Sequence, residues 1–461
     1  MTLGAALEEA WNAVSARLGS RATREASRLE AAAWDFGGMV RRAPGVLVFP
    51  ESAEDVSLVL EICGKTGVPV AVRGSGHSQS GQCLSAESVV MDMRRLCRVR
   101  VDPAARTVEA EGGATWRSIV DAAFTHRLLP CGLTLVVDTT IAGTLSVAGV
   151  GSQSITRGAQ IDNVLSLEVA TLDGRVVRCS PDENPDLFDA VRGGLGQCGV
   201  VLRATYPLRP CKARLRTYFF SYRSAAACID DLGRLASAPR SELLLGFLGP
   251  TTDREWTVLL TLGKEFDVEH ELDDAALAEG LGHSAALPSK DTPLWSEDGV
   301  PGHPFFRVHA PKTWNDGRAP LLVHPWVDHL FSTEAAVEVL ERLISDPPSA
   351  LRMGTCGLIP VARAARPAPL FAGPPGDGLM IGVGIFPRVP AMLREEAASL
   401  MSDYSRRCCE AGGKRYLSGY VDFSTDAAWA DHFGAAWPWF HEQKLLHDPR
   451  GLLNPGFLTW R

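Results

Sequence analysis

The sequence predicts an α+β chain of two domains. Three observations point there: helix-period and strand-period patterns that alternate through the first half, three glycine clusters before residue 200, and a break at Pro207-Leu208-Arg209-Pro210 beyond which the glycine clusters stop. At 461 residues the chain exceeds one simple core, and 46% hydrophobic with 22% charged residues is an ordinary globular balance. Residues 1–209 are expected to form the first domain and 210–435 the second, with 436–461 returning to the first.

The elements follow in order. Ser52 to Gly67 has a serine cap, an acidic first turn, apolar residues at 3-4 spacing and a glycine stop, so it reads as a helix. It leads into the apolar strand Val68-Pro69-Val70-Ala71-Val72 and then the loop Arg73-Gly-Ser-Gly-His-Ser-Gln-Ser-Gly-Gln82. Runs at 89–93, 98–102 and 107–111 read as short strands, and Ala114 to Phe124 as a helix. Thr140 to Gly149 is a second segment of small residues, which either lines a flat ligand or packs tightly as a helix or turn. Val164 to Val177 reads as a hairpin about an Asp173-Gly174 turn, and Asp186 to Val191 as a short helix before the third cluster, Gly193 to Gly199. Ala364 to Gly378, rich in proline and glycine, reads as an irregular loop.

Charge and cysteines narrow the function. A net charge of -8 without basic runs argues against nucleic acid as a partner. Eleven cysteines contain no C-x-x-C pair and no zinc spacing, so no metal is expected and a reducing cytoplasm fits. Met1 to Ala10 lacks a basic segment followed by an apolar core, and no run is long and apolar enough for a membrane span; the expected location is cytoplasmic.

The loop at 73–82 carries the most information. Glycines let backbone approach a diphosphate, and His77 offers a ring nitrogen beside it; a plain turn with a surface histidine reads equally well from this segment alone. It is not the dinucleotide fingerprint G-x-G-x-x-G, because Gln79 stands where the third glycine would be.

Gly76-His77-Ser78 with Gln82, Thr144-Leu145-Ser146 with Ala148-Gly149, Gln160-Ile161 with Asn163, Gly193 to Gln197, His324-Pro325-Trp326, Tyr416-Leu417 with Tyr420, and Leu452-Leu453-Asn454-Pro455-Gly456 occur in this order. Together they resemble the vanillyl-alcohol-oxidase or PCMH superfamily of FAD-dependent oxidoreductases, and within it the cytokinin dehydrogenases. The resemblance implies a PCMH-type FAD-binding fold with an α+β substrate domain, an antiparallel sheet covered by helices. It implies FAD bonded covalently through His77, with contacts at Gly74, Ser75, Gly76, Ser78, Gln82, Thr140, Ser146, Val150, Val200, Tyr416 and Asn454.

Two departures qualify it. Berberine-bridge-type relatives attach FAD twice, but the second cysteine's place falls on Asp138, so a single bond is expected; Cys131 lies seven residues earlier. The aspartate that takes the substrate's amine proton in cytokinin dehydrogenases falls on Leu135, which cannot do so. Asp138 stands three residues on, either as its substitute or as a solvated or capping aspartate.

A flavin enzyme needs a partner for the O–H or N–H proton, and Tyr416 and Tyr420 are candidates, each either a proton relay or a buried tyrosine. Asp422 ranks lower, as a partner of Tyr420 or a solvated group. Trp256, Trp295, Trp314 and Trp326 would either wall a pocket for an aromatic or polycyclic substrate or pack the core. The leading expectation is an FAD-linked oxidase or dehydrogenase that oxidises an alcohol or amine carbon of a small hydrophobic molecule, passing electrons to dioxygen or another acceptor. A cytokinin dehydrogenase, and a catalytically idle flavin-containing binding protein, are the alternatives.

Overall fold

A computed structural model describes residues 2–250, 256–295, 320–346, 354–458 and 460. Three sheets of four or more strands organise them, beside a two-stranded one of Leu322–Val323 and Val389–Pro390. In the first, the strands run in the order Ala22–Thr23, Val46–Val48, Val89–Asp92 and Val70–Arg73, with the last three parallel. All three are nearly wholly buried, as expected of parallel strands covered on both faces. The helix Ala53–Thr66 makes one crossover; the Ser52 side chain accepts from the Asp55 amide, and Gly67 ends it at φ 77°.

The second sheet is antiparallel around the long strand Val200–Pro210, with Thr107–Glu111 and Val99–Asp102 on one side and the Ser166–Ala170 and Val176–Cys179 hairpin on the other. The helices expected at 114–124 and 186–191 are present as Trp116–Phe124 and Pro185–Val191. The small-residue segment at 140–149 is in part helical, Ile141–Ser146, capped by the Thr140 hydroxyl.

Eight antiparallel strands make the third sheet, in the order Ala285–Pro293, Arg214–Tyr222, Trp256–Phe266, Leu243–Pro250, Gly354–Val361, Met380–Pro387, Val327–Phe331 and Lys414–Arg415. Alternation assigns its faces. Val327, Phe331, Ile381, Val383, Ile385, Cys356 and Leu358 pack in one apolar cluster with the helices Ala225–Ser237, Thr333–Ser345 and Arg394–Glu410. Trp326, Asp328 and Leu330, with Gly382, Gly384 and Phe386, belong to the other face. Residues 364–378 carry no regular element beyond turns and bends, as the prolines dictate.

The tail comes back to the first sheet. Leu453 bridges Val70 in parallel, and the Asn454 amide donates to the Val70 carbonyl at 2.8 Å. A buried ion pair fixes this return: Lys444 Nζ donates to Asp448 at 2.7 Å and to the carbonyls of Gln197 and Leu453, both at 3.0 Å.

Candidate active site

All three glycine segments, the tail and the inward face of the eight-stranded sheet meet around one cavity of about 280 Å³. Each expected cofactor contact, from Gly74 through His77, Gln82, Thr140, Ser146, Val150, Val200 and Tyr416 to Asn454, lines it. Gly74 shows why the first segment needs glycine: a Cβ there would lie 2.2 Å from the Thr140 hydroxyl oxygen, so the two segments touch only without a side chain. Gly76 has φ 72°, a conformation that side-chain-bearing residues rarely take.

A segment the sequence did not point to holds the histidine loop. The Phe36 and Gly37 amides donate to the Gly76 and Ser78 carbonyls at 2.8 and 2.9 Å. Asp35 accepts from the Ser78 hydroxyl at 2.9 Å and from the Gly81 and Gly38 amides at 2.7 and 3.1 Å. Burial lifts its carboxyl to about 6, and those donors work against the rise. Phe36 stacks on His324 with ring centres 4.2 Å apart and meets His77 at 4.3 Å and Trp326 at 4.9 Å. Trp326 in turn meets Phe386 edge-on at 5.2 Å. These aromatic contacts make one wall continuous from the histidine loop to the sheet.

Polar links lock the opposite wall. Gln82 accepts from the Gln79 and Ser80 amides at 3.1 and 2.8 Å and donates to the Gly419 carbonyl at 3.2 Å. The Tyr416 hydroxyl oxygen accepts from the Val150 amide at 3.1 Å. Burial, and next the charge of Asp328, raises the Tyr416 phenol above its ordinary range, so it stays protonated at neutral pH.

Other sequence candidates lie elsewhere. Asp138 is absent from the lining; Arg117 claims its carboxylate through Nε at 2.7 Å and Nη2 at 3.3 Å. Tyr420 packs against the helix-covered cluster of the eight-stranded sheet and is also absent from the lining. Asp422 pairs with Arg415 at 2.7 Å instead of with Tyr420. Of the tryptophans, Trp326 lines the cavity, Trp256 packs on the helix-covered cluster, and Trp295 Nε1 donates to Asp121 at 2.7 Å; Trp314 lies outside the described residues. Cys131 is buried and likewise not in the lining.

Two lining residues matter for chemistry. Leu135 is one, so the position that lacks an acid faces the cavity. Asp328 is the other, and the sequence reading missed it. Its signal was an acidic residue inside the apolar strand Val327–Phe331, two places after Trp326 and therefore on the same face.

The residues present fit FAD. Glycines 74, 76, 112, 143, 149, 196 and 199 all expose backbone to the cavity, which suits a diphosphate and a flat ring, and Thr140, Ser146 and Ser78 add small hydroxyl groups. Fold and site together define an FAD-dependent oxidoreductase of the PCMH type, with a mixed α+β architecture.

Comparison with known proteins makes this specific. Residues 44–180 match the family described as an FAD binding domain, and 322–458 the one described as cytokinin dehydrogenase 1, FAD and cytokinin binding. The chain is 31% identical to an uncharacterized oxidoreductase, ORF5 in the fasciation locus of Rhodococcoides fascians, over 93% of this chain and 96% of that one. It is 30% identical to cytokinin dehydrogenase 2 of Oryza sativa subsp. japonica, over 90% and 85% of the two chains. A solved structure of 6-hydroxy-D-nicotine oxidase from Arthrobacter nicotinovorans shares the fold, with a TM-score of 0.68 at 19% identity over 94% of this chain and 95% of that one. The chain belongs to the cytokinin dehydrogenase family of FAD-dependent oxidoreductases.

Proposed function

We propose that this protein is an FAD-linked oxidase or dehydrogenase that holds its flavin covalently through His77 and oxidises an alcohol or amine carbon of a small, hydrophobic molecule. The observation that carries the reading is the cavity where His77, the glycine segments and the tail face an aromatic wall. FAD, when bound, supplies a two-electron acceptor for hydride. Residues 1–209 and 436–461 hold it, and 210–435 hold the substrate.

The chain's own part is orientation and exclusion. The Phe36 and Gly37 amides hold the Gly76 and Ser78 carbonyls and Asp35 holds the Ser78 hydroxyl, which sets the His77 ring beside Phe36. Trp326, Phe386, Leu330 and Ile359 offer apolar surface that binds an aromatic or polycyclic body and displaces water. Tyr416 accepts from the Val150 amide and, with a phenol that remains neutral, offers the ligand a hydrogen-bond donor.

The cytokinin dehydrogenase reading has its own support in the match at 322–458 and the rice relative. Leu135 in the cavity wall weighs against the cytokinin substrate, because a leucine takes no proton. Anaerobic addition of isopentenyladenine separates the readings: bleaching of the visible flavin band supports cytokinin oxidation, and no bleaching rejects it. Bleaching by some other alcohol or amine supports the broader reading and discards an idle flavoprotein.

A further inference from the structure

Asp328 is the one carboxylate among the described residues that line the cavity. It stands opposite Gly384 in strand register. A Cβ at 384 would come within 2.0 Å of its Oδ1, and one at Gly419 within 3.3 Å of Oδ2, so glycine on both sides leaves the carboxylate its space. Among the described residues its side chain has no hydrogen-bond or ion-pair partner. Two nitrogens of the Arg415 guanidinium are engaged elsewhere, Nη2 with Asp422 at 2.7 Å and Nη1 with the Tyr420 carbonyl at 2.6 Å. A half-buried carboxylate without a partner, in a cavity wall that is otherwise largely apolar, is placed to pair with a ligand.

We propose that Asp328 is the proton acceptor of this site, taking the N–H or O–H proton of the substrate and so filling the role that Leu135 cannot. The inference rests on the FAD-linked reading. The substrate loses one proton to the Asp328 carboxylate and one hydride to FAD; its C–N or C–O bond becomes double, FAD gains two electrons, and dioxygen or another acceptor removes them. Burial raises the Asp328 carboxyl to about 7, with Arg415 opposing, so both protonation states are populated near neutrality. The other titratable groups around it are neutral: His329 is held well below its ordinary range, while Tyr416, Tyr404 and Cys356 are pushed above theirs. Arg415 is the charged neighbour.

The test compares the wild-type holoprotein with Asp328→Asn and Asp328→Glu. Without ligand, infrared titration of carboxyl bands between about pH 5 and 9 should show a component near 7 that Asp328→Asn lacks, while Asp35 and Asp162, both at about 6, persist as internal controls. With isopentenyladenine, 6-hydroxynicotine and vanillyl alcohol as probes, anaerobic flavin bleaching by at least one should speed up as pH rises through about 7. Asp328→Asn should slow it by about 100-fold or more and flatten the profile, and Asp328→Glu should restore part of the rate. A colourless wild type overturns the flavin reading itself. A yellow wild type overturns the proposal alone if no probe bleaches it, if Asp328→Asn keeps the wild-type rate and profile, or if the carboxyl component is unchanged.

Discussion

Asn454 Nδ2 donates to the Gly196 carbonyl at 2.7 Å, joining the tail to the third glycine segment across 258 residues of chain. The same side chain accepts the Val72 amide through Oδ1 at 2.8 Å, so one amide group clamps the strand before the histidine loop as well. Asn454 also sits at φ 49°, a conformation asparagine tolerates better than alanine.

Asn454→Ala therefore removes two partly buried hydrogen bonds and adds backbone strain. The expected loss is on the order of 2–4 kcal/mol, read as a lower midpoint in chemical denaturation, together with weaker flavin retention. An unchanged midpoint would mean that the tail does not clamp the cavity.

Lys444 and Asp448 are both nearly inaccessible, at 2% and 0% side-chain exposure. Burial pulls the Lys444 amine below its ordinary range, and the charge of Asp448 opposes that pull. Lys444→Met strips the buried Asp448 carboxylate of its counter-charge and leaves it only the Leu452 and Leu453 amides, at 2.9 and 2.7 Å, which should destabilise by about 3 kcal/mol. Lys444→Met with Asp448→Asn should recover part of that loss, which a double-mutant cycle of denaturation midpoints measures.

Tyr416 binds the Val150 amide but does not hold a proton that leaves near neutral pH. Tyr416→Phe should cost about 1–3 kcal/mol by leaving that amide unsatisfied. It should leave the near-neutral rise in the rate of flavin bleaching where it was. Loss of that rise in Tyr416→Phe would make Tyr416 the proton acceptor.

Burial lowers His432 to about 3, and Lys414 and Arg415 act in the same direction. Its folded value lies below the unfolded one, so protons favour the unfolded chain. Stability is full above about pH 6.5 and declines by up to about 1.4 kcal/mol per pH unit on the way down. His432→Gln should flatten the fall in thermal midpoint between about pH 6.5 and 4. A variant with the wild-type slope would place the acid sensitivity elsewhere.

Local signals made much of the fold legible. The Ala53–Thr66 helix and the Asp173-Gly174 hairpin are decided within their own segments, by caps, period and turn residues. The meeting of Gly74, Gly196 and Asn454 is decided by contacts hundreds of residues apart, which only the ordered set of family motifs made visible. Tyr420 and Asp138 were misplaced for physical reasons. One motif carries both tyrosines, but past the strand end at Arg415 the chain turns Tyr420 onto the helix-covered cluster while Tyr416 lines the cavity, and Arg117 draws the Asp138 carboxylate away. Asp328 escaped because alternation places it on the face of Trp326 but does not say that this face lines a cavity, which the glycines opposite it reveal.

Mass analysis of the proteolytic peptide that contains His77, from purified yellow protein, tests the flavin site most directly. The predicted result is a peptide heavier by one FAD, with flavin that stays on the chain through denaturation and is lost from it in His77→Ala. A colourless protein, or a His77 peptide of unmodified mass with flavin released on denaturation, would contradict the tether.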